Sequence, residues 1–426
     1  MSLSETILQP TGYAVVSKNL VREWGKMGHN INHVGWNYHG DAIEEPNIKD
    51  DPHGPLKNVT LLKTSEVYNI GAYDLLPFYF KKYTPDVVWS LIDIWYTFAM
   101  PGFLPGGVKG FAESTFDHGL PYVNYFPIDG EPFSPKWAPC LEKSHTICAM
   151  ANYGKKVIDE FAHDRAMGGA FWAQNFSAEC VYHGVDTEVF KPLPEDEYQQ
   201  VKMQMRAQAP DPFVLVSVDR NVVRKDYPRL YEGLKYAIVR MTPEEKRNFV
   251  FIQKCGRPDD EKHGHHLPLI EHQLGLQGYI KNADIVRHIL FGLPGKDLSL
   301  LYNCADAVIS ATWGEGFGLS TIEAMACGKP VIKPRNSANI ELIGEEEERG
   351  WLPEPASHIW VSHGIKQSIP DPERIGEAIL ECMRDPDLRK KKGKAGLEFA
   401  QEHTWDKKAQ EFIDIFKKIQ PPEVPD

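Results

Sequence analysis

Trp313-Gly314-Glu315-Gly316-Phe317-Gly318-Leu319-Ser320-Thr321-Ile322-Glu323-Ala324-Met325-Ala326-Cys327-Gly328-Lys329-Pro330-Val331-Ile332 carries most of the information in this 426-residue chain. An apolar run at Ala307–Ser310 precedes it, so it reads as a strand, a three-glycine turn, a helix and a second strand. Gly314, Gly316 and Gly318 permit positive φ and let a ligand approach the backbone closely. Ser320 and Glu323 have the S-x-x-E spacing of a capping box that starts a helix. The N–H groups of that first turn lack helical partners and form a ready anion site. A plainer reading is also open: a glycine-rich connection in which Glu323 only bonds the Ser320 backbone.

Working outward, short β-rich runs alternate with helical periodicity in both halves, the pattern of a parallel α/β fold. Val16, Leu20, Trp24 and Met27 share one helix face, and Gly28 follows as a cap. Strands are expected at Ile31–Val34, Val87–Ile92, Tyr122–Phe126 and Thr146–Ala149, then a helix at Tyr153–Phe161 and a short run at Cys180–Tyr182. Residues 191–212 hold four prolines, several acids and little apolar content, which marks a domain boundary there. Phe213–Val218 restarts the pattern as a strand, followed by a helix at Pro228–Val239 and strands at Phe249–Ile252 and Val331–Ile332. Three helical patterns run from Glu373 to Ile419. The opening is odd: only Glu5–Leu8 is available as a first strand before Pro10-Thr11-Gly12, and Met1-Ser2-Leu3 reads as an added leader outside the fold.

The bulk properties limit function. Net charge is −12, with 47 Lys plus Arg against 59 Asp plus Glu, which argues against nucleic-acid binding. Seven cysteines without a C-x-x-C pair suit a reducing compartment. With no long apolar run and no signal peptide, the chain reads as cytoplasmic, with membrane contact at most peripheral.

With its E-G-F-G…E-A-M-A-C-G-K-P-V-I context and a pair of glutamates at 315 and 323, the segment resembles the retaining family 4 (group 1) glycosyltransferases of the GT-B fold. Other segments agree in order: His183-Gly184-Val185-Asp186, Ser217–Lys225, Asp297–Asp306, Asp385–Arg389 and His403-Thr404-Trp405. The resemblance implies an α/β GT-B architecture, two Rossmann-like doubly wound domains facing a central cleft. Residues 1–190 are then the acceptor-side domain and 191–403 the donor domain. Residues 404–426 form a C-terminal helix crossing back to the first domain. It implies transfer of a hexose from a nucleotide-diphosphate sugar to a sugar, lipid or protein acceptor, with retention, and with no cofactor and no metal.

The site residues follow from the same resemblance. Arg220 and Lys225, with Arg224 adjoining, are expected to neutralise the departing diphosphate. Glu315 is assigned to the sugar hydroxyls and Glu323 to the ribose hydroxyls. The amides of Phe317, Gly318 and Leu319 are placed against sugar and diphosphate, beside Gly316. Gly12 belongs to the glycine loop after the first strand, or to a plain helix entry. The family often has a histidine where this chain has Ile128. Asp129 substitutes for it, or His118 reaches in, or the reaction proceeds without either. Base selectivity is expected near Phe291–Leu293. Asp385-Pro386-Asp387 is rejected as a metal ligand set because a turn is its natural reading. Lys262–His266, Glu345–Glu348 and Arg389–Lys394 are read as solvated surface, and most of Trp36, Trp89, Trp95, Tyr96, Tyr122 and Tyr125 as core. A non-catalytic nucleotide-sugar-binding protein and a GT-B glycosyl phosphorylase remain the alternatives.

Overall fold

The computed structural model describes residues 1–49, 51–65, 74–97, 109–206, 209, 211–260, 262–283 and 296–419. The chain divides into two compact units, one of residues 1–184, 363–365 and 405–426, the other of residues 185–362 and 366–404. The division falls between Gly184 and Val185, ahead of the proline-rich stretch in which composition shifts. That stretch is no linker: Glu195–Met205 is a helix with three acids in its first turn, where they complement the helix dipole.

Among the described residues the first unit holds an eight-stranded sheet. Its strands are β1 (Ser2–Glu5), β2 (Ile31–Trp36), β3 (Ile43–Glu44), β4 (Val59–Leu62), β5 (Val88–Leu91), β6 (Tyr122–Phe126), β7 (Thr146–Ala149) and β8 (Glu179–Cys180). They lie in the order β3-β4-β2-β1-β5-β6-β7-β8, parallel except for the β3–β4 pair. The first strand corrects the sequence reading. Residues 2–5, not 5–8, form it, and it lies between β2 and β5 near the middle of the sheet. Its low apolar content concealed it. Ser2 Oγ bonds His33 Nδ1 at 2.7 Å and Ser4 Oγ donates to the Leu91 carbonyl at 2.9 Å, so the buried hydroxyls are satisfied. The helix Gly12–Lys26 then packs Trp24 against Trp89, Phe412 and Phe416, and Trp24 Nε1 donates to the Ala409 carbonyl at 3.1 Å. The last helix, Trp405–Lys418, is thereby part of this unit.

The second unit has a parallel sheet of β9 (Phe213–Val218), β10 (Phe249–Lys254), β11 (Ile280–Asn282), β12 (Ala307–Ile309), β13 (Val331–Ile332) and β14 (Gly350–Trp351), ordered β11-β10-β9-β12-β13-β14. A separate hairpin, β15 (Pro355–Val361) and β16 (Ile365–Pro370), was not legible beforehand. Parallel strands buried on both faces read as continuous apolar runs, which is why β9 and β10 were evident. β14, a glycine and a tryptophan after a run of acids, carries too little apolar pattern to be seen. Because all six strands run the same way, Asp219, Lys254, the loop from Ser310 and Lys333 emerge at one edge, the carboxyl edge where ligands bind in such sheets.

Helix Leu319–Ala326 is backed by helix Pro386–Gln401, whose glycines allow the close approach. A β-carbon at Gly393 would press into the Gly328 carbonyl oxygen. Gly393→Ala is therefore expected to lower stability by roughly 1–3 kcal/mol, as overpacking does. Chemical denaturation would show it as a lower midpoint; an unchanged midpoint would mean the two helices part at no cost.

Candidate functional site

Local structure at the carboxyl edge starts with Asp226, which takes a left-handed φ of 45° between β9 and the helix Tyr227–Arg240. Its carboxylate caps that helix through the Arg229 N–H at 3.3 Å and accepts from Trp313 Nε1 at 2.6 Å. The Trp313 N–H donates to the Arg224 carbonyl at 2.8 Å. These bonds tie the loop after β9 to the glycine turn after β12. From the other side, Asn336 Nδ2 donates to the Thr312 carbonyl at 3.0 Å, and Ser337 Oγ accepts the Glu315 N–H at 2.8 Å. The turn that carries Glu315 is thus held on both flanks.

Lys225 is the centre of the charge network. Its ammonium bonds Glu315 Oε1 and lies 2.5 Å from Asp219 Oδ1. Arg224 donates to the Gly314 carbonyl at 3.0 Å and approaches Glu315 Oε2 at 3.7 Å. Burial alone would raise the Glu315 pKa, but Lys225, Arg224 and Lys333 outweigh it and hold the carboxyl below its usual range. Arg220 is exposed, and among the described residues its side chain has no ion pair; Arg224 makes the contact with the glutamate turn. Asp219 was not anticipated, although an acid ending a buried strand was the available signal.

Glu323 corrects a second reading. No capping box forms, because the helix begins at Leu319 with Gly318 as its cap at φ 103°, a conformation that favours glycine. Ser320 therefore lies inside the first turn, and Glu323 is free to accept from the Tyr302 hydroxyl at 2.9 Å. Phe317 is buried at this turn while Leu319 opens the helix. Burial raises the Glu323 pKa to about 7, against the opposing pull of Tyr302, Lys254 and Lys333. The folded protein thus holds a proton there, from the ordinary value of 4.5 up to about 7, that the unfolded chain has released. Over that interval stability falls as pH rises. A ligand needing the ionised carboxylate must bind more weakly as pH falls through about 7. Affinity for such a ligand, measured by calorimetry across this range, should show the trend, and Glu323→Gln should flatten it.

Lys333, one residue beyond β13, is the other unanticipated charge. Its Nζ donates to Ser320 Oγ at 3.2 Å. Its signal was a lysine directly after an apolar strand.

In the first unit Gly12 is the exposed first residue of helix Gly12–Lys26, with Thr11 as N-cap bonding Glu5. Ile128 is 4% exposed and packs beneath Gly154, so that position is filled by core. Asp129 is partly exposed near Tyr153, whose pKa burial raises, with Glu131 and Asp129 adding to the shift. His118 ends the helix Phe111–Asp117, bonds the Ser114 carbonyl at 2.7 Å and precedes β6, whereas Asp129 follows that strand.

The surface readings hold for most of these residues, with local partners added: Lys262, His263, Glu345, Glu346 and Glu348 are exposed. His263 pairs with Asp260 at 3.0 Å, and Asn221 holds the His265 backbone. Glu347 pairs with Arg335, and the Glu347 and Gly350 carbonyls accept from Lys392. Arg389 and Lys392 turn inward, so the basic run is not wholly exposed. Asp385 caps the helix Pro386–Gln401. Trp36, Trp89, Tyr122 and Tyr125 are core, whereas Trp95 stacks on His363 at 5.3 Å. Phe291–Leu293 lies outside the described residues. Among the described residues no helix is long and apolar enough to cross a membrane.

Residues 270–399 match the family model described as glycosyl transferases group 1. Spore coat protein SA of Bacillus subtilis is 24% identical over 284 residues, 66% of this chain and 66% of that relative's own length. Sucrose-phosphate synthase from Thermosynechococcus elongatus superposes with a TM-score of 0.66 at 17% identity, covering 98% of each chain. Anabaena HepE, solved in complex with UDP and glucose, superposes at 0.64 with 15% identity over 98% of this chain and 99% of its own.

Proposed function

We propose, from the match of residues 270–399 to the group 1 glycosyltransferases and from the GT-B fold of the chain, that the protein moves a hexose from a nucleotide-diphosphate sugar to an acceptor hydroxyl, with retention and without a metal. The observation that carries the reading is the Lys225 ammonium, shared by Asp219 and Glu315 beside the Gly318 turn. Cleavage of the bond between the anomeric carbon and the diphosphate leaves negative charge on the departing oxygens. Lys225, Arg224 and the more exposed Arg220 supply fixed positive charge, and the helix start supplies N–H donors at Phe317, Gly318 and Leu319.

Glu315 accepts from the hydroxyls of the transferred sugar, and Glu323, steadied by Tyr302, accepts from the ribose. The acceptor oxygen bonds the anomeric carbon on the face the diphosphate leaves. Its proton passes to a departing phosphate oxygen, so no separate base is required. Asp129, standing beside the position of the family histidine, is assigned to the donor sugar, and Gly12 to donor binding. That a GT-B neighbour was solved with UDP and glucose supports a nucleoside-diphosphate hexose as donor. Seven cysteines outside any disulfide support a reducing, cytoplasmic setting.

A thermal-shift panel of UDP-, GDP- and ADP-sugars, with and without EDTA, tests the reading, since a donor that binds the fold raises its melting temperature. One sugar nucleotide should stabilise the protein equally in both conditions. Stabilisation abolished by EDTA would overturn the metal-free scheme. Proton NMR of the product anomer decides retention.

A further inference from the structure

Lys333 is 0% exposed, yet among the described residues its single side-chain hydrogen bond goes to a neutral hydroxyl, Ser320 Oγ, at 3.2 Å. Taking an ammonium out of water costs several kcal/mol unless a counter-charge meets it. No carboxylate of the described residues is in ion-pair contact with this one; Glu315, Asp219 and Glu323 act on it from further away. Burial pushes its pKa below the lysine range, those three acids oppose the shift, and Lys225 adds to it. An unpaired buried cation is unfavourable for folding, so it points to a ligand.

A second observation lies beside it. Thr321 is also 0% exposed, and its Oγ1 has no hydrogen-bond partner. Both groups border Gly318, where an added β-carbon would stand 3.1 Å from Thr321 Oγ1, 3.8 Å from Lys333 Nζ and 3.8 Å from Glu315 Cγ. The glycine therefore leaves room for one more atom between a hydroxyl and an ammonium, against the first turn of helix Leu319–Ala326. Charge accounting points the same way. Lys225 already serves two carboxylates and Arg224 approaches one of them, so much of their charge is neutralised within the protein.

We propose that Lys333 is a fourth cation for the donor's diphosphate, receiving an anionic phosphate oxygen at the Gly318 gap together with Ser320 and Thr321. This rests on the donor-site reading above. The flexible four-carbon arm of lysine lets the ammonium leave Ser320 for a phosphate oxygen, and low surrounding polarity strengthens that contact.

The test titrates inorganic pyrophosphate into the full chain by calorimetry at near-neutral pH, using the parent, Lys333→Met and Lys333→Gln. Pyrophosphate is used because it carries neither base nor sugar. Both variants should bind it roughly tenfold more weakly, the loss of one charge-assisted contact. Lys333→Met should melt no lower than the parent, because an apolar side chain in place of an unpaired buried charge is neutral or stabilising. Lys333→Gln separates the roles, since its amide can still donate to Ser320. If either variant binds pyrophosphate as the parent does, or if both lose the fold, Lys333 is structural and the inference is overturned. If the parent binds neither pyrophosphate nor any sugar nucleotide, the donor-site reading itself fails.

Discussion

Lys225→Ala is expected to reduce turnover by on the order of 10²-fold or more, the loss seen when one preorganised donor is removed from a site where charge develops. Two effects combine. The departing diphosphate loses its best-placed cation, and Asp219 and Glu315 are left facing each other without the ammonium that now separates them. The second effect raises the Glu315 pKa, because Lys225 is the largest of the opposing influences on a carboxyl that burial already disfavours as an anion. Lys225→Arg keeps the charge and should recover part of the activity. Steady-state kinetics on the donor found by thermal shift provides the measurement, with melting curves to show that the variants fold. A Lys225→Ala enzyme that turns over at near-parental rate would remove this residue from the reaction.

The two glutamates should separate in kinetics. Glu315→Ala is expected to lower kcat by on the order of 10²-fold, whereas Glu323→Ala should chiefly raise the donor KM, by roughly tenfold. The structure gives the reason for different behaviour. Glu315 is bound to Lys225 and approached by Arg224, the cations assigned to developing charge in the proposed scheme. Glu323 lies within the helix Leu319–Ala326, bonded to Tyr302, and its pKa is raised by burial to about 7. Glu315→Gln, which preserves shape, checks that the loss follows from charge rather than from a cavity. If Glu323→Ala lowered kcat more than Glu315→Ala, the sugar and ribose assignments would have to be exchanged.

How much of this was readable beforehand depended on the length of the pattern. β6, β7, β9 and β13 were placed at their observed ends because continuous apolar runs announce buried parallel strands. β1 was misplaced because a central strand built from Ser2, Leu3, Ser4 and Glu5 lacks such a run; its serines are satisfied by partners 31 and 87 residues away. The capping box was a local pattern overruled by the Tyr302 bond and by the φ of Gly318. Ser337, Asn336 and Asp226, which hold the glutamate turn, have no motif, since each acts on residues distant in sequence.

Periodicity and spacing along the chain determined the two-part α/β architecture and the glycine turn before a helix, because both are properties of neighbours in sequence, whereas the candidates Glu315, Glu323 and Lys225 came from the resemblance to a known family. Tertiary structure alone decided that Arg224 rather than Arg220 meets Glu315, that Asp219 shares Lys225, that Ile128 is core, and that Lys333 lies buried at the turn. Those outcomes depend on which strand ends converge at one edge of a sheet, and on how much water the packing around them excludes. Neither can be computed from any single stretch of residues.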